Sequence, residues 1–599
     1  MRRKFTLLYP FLFSVLFISL IFHVKSGVER HRAIKSLKGS IRQKPSSPLP
    51  KGSWPNPQKF RETVKKCSSY VDYASVPHFK ETDKDATLTL PFQRPPKNCR
   101  TFQSPLVELF LPEFTKRLKN RDLARLFENT FPNTIDTTIL WHVTGEANRK
   151  LNNHKLKPLL YRNEVPETFV VTGDIHAEWL RDSAWQLSVY QPFIQHDVAL
   201  RELVRGAINT QAQLLMENPF CNAFNPPPYC EVERASSTID KVRPLPDWKR
   251  AFECKYEIDS LASFLTLSRQ FYENAPHDDR FSFINIDWLI AVKRVIDVII
   301  LESTPTYGED GAPNPFPYVF QRDTNVASET LPLAGTGNPV NGGTGLVRSA
   351  FRPSDDSTIF QFFIPGNAYL AVELEGISRI LQSYLKHLPG GTPNPINVKD
   401  ILETATELSV RIRQGIMEHG IVTHPKFGKV FAYEVDGFGS SLLMDDANIP
   451  SLLSLPELGF IDASDPVYEN TRKMIMCKEG NPYFIQGSHL QGIGGPHIGI
   501  HNVWPLSMIV AIRTSHDDQE ITELLSAILE STGGLGLIHE SIQAFSPHGR
   551  AYTRPWFAWA NSEFAKAIIH LAQTKPHLVF DKSYVNERFD LQRFLSSLK

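Results

Sequence analysis

Residues 367–388, NAYLAVELEGISRILQSYLKHL, carry the pattern that decides the fold class. Apolar side chains recur there at intervals of three and four residues, which is the spacing of one face of an α-helix. Residues 399–420, KDILETATELSVRIRQGIMEHG, show the same pattern directly afterwards. The two segments therefore predict consecutive amphipathic helices.

The same periodicity recurs on both sides of this pair and predicts about a dozen helices in total. The other helical segments are residues 105–129, 177–193, 197–217, 259–275, 285–303, 451–459, 465–478, 505–515, 518–532 and 556–573. The clearest strand-like runs lie between Ile421 and Val435. Because strands and helices do not alternate, the sequence predicts an all-α fold in which paired helices close into a toroid. An open solenoid is disfavoured, since no self-similarity at a period of about 30–50 residues is visible.

The length and the net charge of the chain restrict the domain organisation and the class of binding partner that we expect. The chain has 599 residues, enough for one large helical barrel or for two to three ordinary domains. Its 65 Lys and Arg residues nearly balance 64 Asp and Glu residues, for a formal net charge of +1. This balance gives no electrostatic reason to expect a nucleic acid partner and favours a neutral or weakly charged ligand.

The N-terminus predicts a membrane anchor and a stem. Residues 5–24 are uncharged and apolar, long enough as a helix to cross a hydrocarbon core of about 30 Å. A cleaved signal peptide is the alternative, but no clean small-x-small cleavage site follows. Residues 25–60 are basic and Pro-rich and predict a flexible stem. We thus expect a cytosolic tip and transmembrane signal-anchor in residues 1–24, and a catalytic domain in residues 61–599.

The location is predicted less directly. Six cysteines lie downstream of the anchor, and their even number permits disulfides in the lumen of the secretory pathway. Cys67 with Cys99, and Cys221 with Cys230, are possible pairs. We therefore expect a single-pass membrane protein that faces the lumen. A mitochondrial membrane is the alternative, because the N-terminus is basic and almost free of acids.

Several loops concentrate acids, amides and aromatic residues. The stretch 171–186, VTGDIHAEWLRDSAWQ, contains Asp174, Trp179, Arg181 and Asp182, and helix capping alone does not require its two tryptophans. The stretch 351–358, FRPSDDST, follows a Gly-rich loop without the Lys-Ser/Thr of a phosphate-binding loop, so nucleotide binding is disfavoured. Its adjacent carboxylates raise each other's pKa, and Arg352 can keep one of them ionised.

Metal binding is disfavoured in two further loops. Residues 434–448 contain Asp446 and Asn448 but lack the register of a calcium loop. His497 and Trp504 lie in a Gly/Pro loop with two more histidines, whose spacing fits no common zinc site. These side chains suit sugar hydroxyls and sugar faces instead. No metal ligand set and no cofactor is expected.

The carboxylates that remain are far apart in the sequence. Glu540 follows a glycine-rich turn in the stretch 533–547, GGLGLIHESIQAFSP, well separated from Asp355 and Asp356. Distant carboxylates, neighbouring tryptophans and the lack of a nucleophilic Ser-His-Asp pattern favour a glycoside hydrolase that uses one acid and one base.

Six motifs in one order resemble glycoside hydrolase family 125, in the eukaryotic branch known from fungi. They are TGDIHAEWLRDSAWQ, CKYEIDSL, AFRPSDD, MDDANIPSLL, GIGGPH and HESIQAFSPHGRAYTRPWFAWANSEF, between about residues 100 and 573. The resemblance implies an (α/α)6 barrel and an inverting, exo-acting, metal-independent α-1,6-mannosidase that trims mannose-containing glycans.

The resemblance also implies roles for individual residues. The general base matches Glu540, and the general acid is Asp355 or Asp356. The mannose pocket is implied to include Asp174, Trp179, Arg181, Asp182, Asp446 and Asn448, to which the residues themselves add Arg352, His497 and Trp504. Ala350 departs from the Gly expected before the acid motif and puts fine specificity in doubt. The alternatives are another inverting glycosidase on the same barrel and a glycan-binding protein without turnover.

Overall fold

The computed structural model describes residues 67–84, 88–146, 165–227, 240–388, 396–586 and 588–598. The predicted anchor and stem, residues 1–60, lie outside these ranges, so both remain predictions. Across the described ranges, no helix combines the length and the apolarity that a membrane crossing requires.

The described part of the chain is mostly helical, and its predicted helical pattern is largely confirmed. The helices are α1 Tyr70–Ala74, α2 Pro105–Thr115, α3 Arg121–Thr130, α4 Asn133–Thr137, α5 Leu180–Ser188, α6 Val198–Glu217, α7 Ile258–Asn274, α8 Ile286–Glu302, α9 Ile364–His387, α10 Val398–His419, α11 Pro466–Ile475, α12 Pro505–Thr514, α13 Asp518–Glu530, α14 Ala558–Thr574 and α15 Leu591–Ser597. A short turn at Pro332–Gly335 contains two residues with left-handed backbone and does not continue as a helix.

Short antiparallel strands occupy the loops between the helices. They are β1 Ile139–Val143, β2 Glu167–Val170, β3 Glu178–Trp179, β4 Ala223–Phe224, β5 Lys241–Arg243, β6 Ala251–Glu253, β7 Val319–Gln321, β8 Phe362–Phe363, β9 Ile421–His424, β10 Gly428–Phe431, β11 Glu434–Val435, β12 Ser441–Leu442, β13 Phe484–Gln486, β14 Gln491–Ile493, β15 Asn502–Val503 and β16 Ile542–Gln543. The strands predicted between Ile421 and Val435 are confirmed as β9, β10 and β11. The largest sheets have three strands, in the orders β3-β4-β6 and β12-β11-β8.

Packing divides the long helices into an inner and an outer layer. Helices α14, α5, α7 and α9 contact one another in succession, and α12 packs on α14. On the outside, α8 packs between α6 and α10, and α13 packs on α3. Inner and outer helices are joined by the pairs α9 with α10, α7 with α6, α12 with α13 and α14 with α3. The apolar core fills the space between the two layers.

The two layers begin their helices differently. Side chains of Asn120, Asp197, Asn285, Asn397 and Asp517 accept hydrogen bonds from the first turns of the outer helices α3, α6, α8, α10 and α13. None of the inner helices α5, α7, α9, α12 and α14 has such a cap. The chain enters α5 and α9 from β3 and β8 in an extended conformation. The N-terminal ends of the inner helices are thus left to the loops that carry the polar motifs.

Two predicted helices differ in the structure. The segment 105–129 is divided into α2 and α3, because the chain turns at Lys116 and Asn120 caps a new helix. The segment 451–459 forms consecutive turns rather than a regular helix. It still packs between the layers: Arg513 of α12 pairs with Glu457 at 2.5 Å, and Arg413 of α10 donates to the carbonyl of Phe460 at 3.0 Å.

One of the two possible disulfides is confirmed and the other is wrong. Cys67 is bonded to Cys99, whereas Cys221 is bonded to Cys254. Cys230 lies outside the described residues. The observed partner follows from the sheet: β4 pairs with β6, with Ala223 opposite Glu253, so the cysteines at the ends of these strands are neighbours. Sheet pairing, not closeness along the chain, selects the partner.

Candidate active site

A cavity opens at the N-terminal ends of the inner helices, where the polar loops converge. Its walls are formed by Thr172, Asp174, Ile175, Trp179, Arg181, Asp182, Pro353, Ser354, Asp355, Asn448, His497, Trp504, Glu540, Arg554, Phe557 and Trp559. Most of the residues predicted to form the site are therefore brought together. Asp356, Asp446 and Arg352 do not line the cavity and lie behind its wall.

The loop that carries the adjacent aspartates is a tight turn. The amide of Asp355 donates to the carbonyl of Arg352 at 2.9 Å, and the amide of Arg352 donates to the carbonyl of Asp356 at 2.8 Å. Asp355 has a φ of 66°, in the left-handed region that is costly for most residues but accessible to Asp. Lys255 Nζ donates to the carbonyl of Asp355 at 2.9 Å and helps to hold this conformation.

The turn places the two aspartates differently. The side chain of Asp355 is 26% exposed and lines the cavity, whereas that of Asp356 is 2% exposed. Burial raises the pKa of Asp356 to about 6, against the opposing charge of His497. Burial also acts to raise the pKa of Asp355, but the charges of Lys255 and Arg181 bring it below its usual value. The aspartate that reaches the cavity is thus the more acidic of the two.

Among the described residues Arg352 forms no ion pair with either aspartate, although its charge acts to lower the pKa of Asp356. Its Nε lies 2.6 Å from Oε1 of Glu434, and both side chains are buried. The second oxygen of Glu434 accepts from the amides of Ile359 and Phe360, each at 2.9 Å. Glu434 belongs to β11, so this pair fixes the base of the aspartate loop to a sheet rather than contacting a ligand.

Arg181 is the centre of a buried cluster of carboxyls. Its Nη1 donates to Glu257 at 2.7 Å and to Asp259 at 3.1 Å. Its Nη2 lies 3.4 Å from Asp182 and 4.0 Å from Asp355. Burial raises the pKa of Asp182 to about 7, while the charge of Arg181 opposes the rise.

Glu540 lines the cavity from the loop that precedes β16. Thr553 Oγ1 donates to its Oε2 at 2.8 Å, and Arg554 Nε donates to its Oε1 at 3.1 Å. Arg554 also pairs through Nη1 with Asp174. The Glu540 carboxylate and Asp174 are therefore oriented by one guanidinium, and the Glu540 side chain keeps 12% of its surface exposed.

A third group of polar residues lies next to the two aspartates. It consists of Ser354, Asp446, Asn448 and His497. Ser354 Oγ donates to Asp446 at 2.5 Å, and His497 Nδ1 lies 3.9 Å from Asp356. The amide of Asn448 donates to Asp446 at 3.3 Å. Asn448 and His497 reach the cavity, whereas Asp446 supports them from within the wall.

The cavity wall contains buried polar atoms that form no hydrogen bond within the described residues. Buried polar atoms normally have partners, so those without one point to a missing ligand or water. Among the described residues, the cavity-lining atoms that are buried without a hydrogen-bond partner are Thr172 Oγ1, Trp179 Nε1, Arg181 Nε, Asp182 Oδ2, Asp355 Oδ1, Asn448 Oδ1, Trp504 Nε1 and Trp559 Nε1. Donors, acceptors and indole rings in one small cavity suit a polyhydroxylated ring.

Sequence reasoning missed several members of this site. Lys255, Glu257 and Asp259 lie in the motif CKYEIDSL, and Arg554 and Trp559 lie in the long motif that begins at His539. Their positions inside these motifs were the signal in the sequence that could have identified them as site residues. Their roles depend on which side chains they meet, and that is decided by the helix arrangement.

Comparison with known proteins identifies the family of this chain. A family model described as metal-independent alpha-mannosidase (GH125) matches residues 120–569, which include every cavity-lining residue. The chain belongs to this family. It is therefore a glycoside hydrolase, an α-mannosidase, and the resemblance seen in its motifs is confirmed.

Two relatives of this GH125 enzyme extend the comparison. The meiotically up-regulated gene 157 protein of Schizosaccharomyces pombe (strain 972 / ATCC 24843) is 48% identical over 517 residues, which cover 86% of this chain and 94% of that protein. A solved structure from Streptococcus pneumoniae is 30% identical, with a TM-score of 0.66, and covers 79% of this chain and 99% of its own. It is described as a metal-independent alpha mannosidase in a non-productive substrate complex with alpha-1,6-mannobiose, in work on the processing of N-linked glycans.

Proposed function

We propose that this GH125 enzyme is an inverting exo-α-1,6-mannosidase that removes terminal mannose from glycans. The observation that carries the proposal is one cavity that is lined by both Asp355 and Glu540, together with indoles and with polar atoms that are buried without hydrogen-bond partners in the described residues. The linkage is supported by the α-1,6-mannobiose bound in the Streptococcus pneumoniae relative.

Asp355 is the general acid in this proposal. It lines the cavity, whereas Asp356 is buried behind the wall. The acid gives its proton to the glycosidic oxygen as the bond to the anomeric carbon breaks. Arg181 and Lys255 then stabilise the carboxylate that remains. Asp356 supports the turn that presents Asp355.

Glu540 is the general base. Thr553 and Arg554 each donate to one of its oxygens, which orients the carboxylate. It takes a proton from a water that attacks the anomeric carbon from the face opposite the leaving group. Inverting glycosidases separate the two carboxyls by about 6.5–9.5 Å to leave room for this water.

The mannose ring is held by the other predicted residues. Trp179 and Trp504 offer ring faces and indole N–H groups, and Asp182 and Asn448 offer oxygens; within the described residues these indole N–H groups and one oxygen of each of Asp182 and Asn448 form no hydrogen bond. Asp174, Arg181 and His497 complete the wall. Asp446 acts through Ser354 and Asn448, and Arg352 acts through Glu434, so these two are positioning residues rather than contacts.

The architecture that we propose for the catalytic domain, residues 61–599, is an (α/α)6 barrel. Five inner positions are occupied by α5, α7, α9, α12 and α14, and the turns of residues 451–459 lie where the sixth inner element is expected. The outer helices α3, α6, α8, α10 and α13 supply five partners, and we assign α11, which packs on β10, as the sixth. The contacts of α8 with both neighbours and of Arg513 with Glu457 support this closure.

The test is hydrolysis of α-1,6-mannobiose by the chain without its first 60 residues, followed by NMR of the anomers. β-Mannose released first, from the non-reducing end, is the expected result. Release of α-mannose first would contradict inversion. Faster hydrolysis of an α-1,2-, α-1,3- or glucosyl disaccharide in the same panel would contradict the linkage and favour another specificity on the same barrel.

The location that we propose is the lumen of the secretory pathway, with the N-terminal apolar segment as a single-pass anchor. The two disulfides support this location, because such bonds persist in oxidising compartments. Protease protection on sealed membranes tests it: the catalytic domain should be degraded only after detergent is added. Import into mitochondria would favour the alternative.

A further inference from the structure

The disulfide between Cys221 and Cys254 has no role in the mechanism above. It lies at one end of the sheet β3-β4-β6, because Cys221 is two residues before β4 and Cys254 follows β6 directly. The pairing of β4 with β6 is short and irregular, with a register shift between Ala223 and Phe224. The disulfide therefore supplies a covalent link at the point where the ladder between the two strands ends.

Residues 254–256, which we call the acid support, contact the loop of residues 350–356 at two places. The carbonyl of Tyr256 accepts hydrogen bonds from the amides of Ala350 at 3.1 Å and Phe351 at 3.0 Å. Lys255 Nζ donates to the carbonyl of Asp355 at 2.9 Å. The start of the loop and its left-handed residue are thus both attached to the acid support.

Buried side chains hold the acid support in turn. The hydroxyl of Tyr318 donates to the carbonyl of Cys254 at 2.6 Å and accepts from the amide of Tyr256 at 3.1 Å. Asn222 Oδ1 accepts from the amide of Lys255 at 3.1 Å. All five of these side chains are buried. The disulfide and the Tyr318 hydroxyl therefore restrain the same three residues that carry the aspartate loop.

We propose that Cys221, Cys254 and Tyr318 are positioning residues, which hold the acid support so that Asp355 lies within reach of the glycosidic oxygen. The inference rests on the proposed function, because it assumes that Asp355 is the general acid. An acid must lie within hydrogen-bond distance of the oxygen that it protonates, and a misplacement of about 1 Å can cost about 100-fold in rate. Oxidation of this one cysteine pair is then a requirement of the acid half of the site.

The mannose pocket is attached to the same sheet by bonds that do not pass through the disulfide. Strand β4 lies between β3 and β6, and Trp179 of β3 is paired with Ala223 of β4. The amide of Leu180, at the start of α5, donates to the carbonyl of Asn222 at 3.1 Å. Without the disulfide, Trp179 and α5 keep these bonds, so we expect the aspartate loop to be displaced relative to the pocket.

The double variant Cys221→Ala/Cys254→Ala tests the inference in the full chain. For α-1,6-mannobiose, kcat should fall by about 10- to 100-fold while KM changes by less than about threefold, because the acid is displaced and the pocket is kept. Hydrolysis of 2,4-dinitrophenyl α-mannoside, whose leaving group needs no proton, should fall by less than about threefold. General structural damage would lower both activities alike.

The double variant Cys67→Ala/Cys99→Ala is the matched control. The two disulfides join cysteines that are 32 and 33 residues apart, so their removal releases loops of nearly equal length in the unfolded chain. Neither Cys67 nor Cys99 lines the cavity. Both double variants should have a lower Tm, whereas the control should keep its kcat for both substrates.

Tyr318→Phe is a milder variant that leaves the disulfide in place. It keeps the ring and removes only the hydroxyl that contacts the backbone on both sides of Lys255. Because Tyr318 does not line the cavity, we expect KM to be kept. The kcat for α-1,6-mannobiose should fall by about 10-fold, and the loss on the dinitrophenyl mannoside should be smaller.

The outcomes separate the two proposals. Equal losses on both substrates in Cys221→Ala/Cys254→Ala, the same unequal losses in the control, or a lower Tm with unchanged kcat would each overturn the positioning role alone. If that variant does not fold, Tyr318→Phe decides, and undiminished or equally diminished activity on the two substrates overturns the role. Undiminished hydrolysis of α-1,6-mannobiose by Asp355→Asn would instead overturn the acid assignment on which the inference rests.

Discussion

Arg352 and Glu434 form a buried ion pair, with 2.6 Å between Arg352 Nε and Glu434 Oε1. Arg352 begins the turn that presents Asp355, and Glu434 belongs to β11 in the sheet with β8. The pair therefore connects the proposed acid to the strand that leads into α9. We therefore expect the pair to stabilise the turn rather than to contact the substrate.

Glu434→Ala should lower the free energy of unfolding by about 3–5 kcal/mol, because it leaves the buried Arg352 without its partner. It also removes the acceptor of two backbone amides. Urea unfolding measures the change. Asp297→Ala is the control: it breaks the exposed pair with Lys293 and should change stability by about 0.5 kcal/mol or less. A loss below about 1 kcal/mol in Glu434→Ala would contradict a structural role.

Asp355→Asn and Asp356→Asn should differ on substrates that need acid assistance. Asp355→Asn should lower kcat for α-1,6-mannobiose by about 10²- to 10⁴-fold and spare the dinitrophenyl mannoside, since only the natural leaving group requires a proton. Asp356→Asn should act similarly on both substrates, because it changes a buried carboxyl 3.4 Å from Ser354 Oγ and not the proton donor. The reverse order of effects would assign the acid to Asp356.

Glu540→Gln should lower kcat by about 10²- to 10⁴-fold on both the disaccharide and the dinitrophenyl mannoside, because base catalysis is needed whatever the leaving group. Steady-state kinetics with both substrates measures this, and an unchanged melting temperature shows that the fold is kept. Thr553→Val, which removes one donor to Glu540, should give a smaller loss. Retained turnover in Glu540→Gln would exclude it as the base.

Glu178 should make stability fall as pH rises. Burial raises its pKa to about 8, while the amide of Val170 donates to it at 3.2 Å and opposes the rise. Its pKa in the unfolded chain is about 4.3. The folded state thus holds a proton that the unfolded state has lost, so this stabilisation is complete below about pH 4 and is lost as pH rises through the folded pKa of about 8.

Glu178→Gln should flatten this dependence. Urea unfolding between pH 5 and pH 8 should show a shallower decline in the variant, by at most about 1.4 kcal/mol per pH unit. Glu403→Gln, at an exposed pair with Lys399, is the matched control and should leave the slope unchanged. A slope as steep in Glu178→Gln as in the unchanged protein would show that other buried carboxyls, such as Asp445, dominate.

The local sequence pattern was sufficient to predict most of the helices and to locate the motifs. Three-and-four spacing predicted α9 and α10 because each buries one stripe of apolar side chains, a property of the local sequence. It failed at residues 451–459, where turns pack in place of a helix. It also missed the break between α2 and α3 at Lys116, since a short polar turn with Asn120 as the new cap interrupts the apolar stripe only briefly.

The sequence by itself determined which loops carry chemistry and, through six ordered motifs, the family. Only the tertiary structure decided the partners: Cys254 for Cys221 and Glu434 for Arg352. Likewise it distinguished two adjacent aspartates, turning Asp355 into the cavity and Asp356 into the wall. The physical reason is that helix periodicity is local, whereas disulfides, ion pairs and burial depend on side chains that are distant in sequence and meet only when the helices pack.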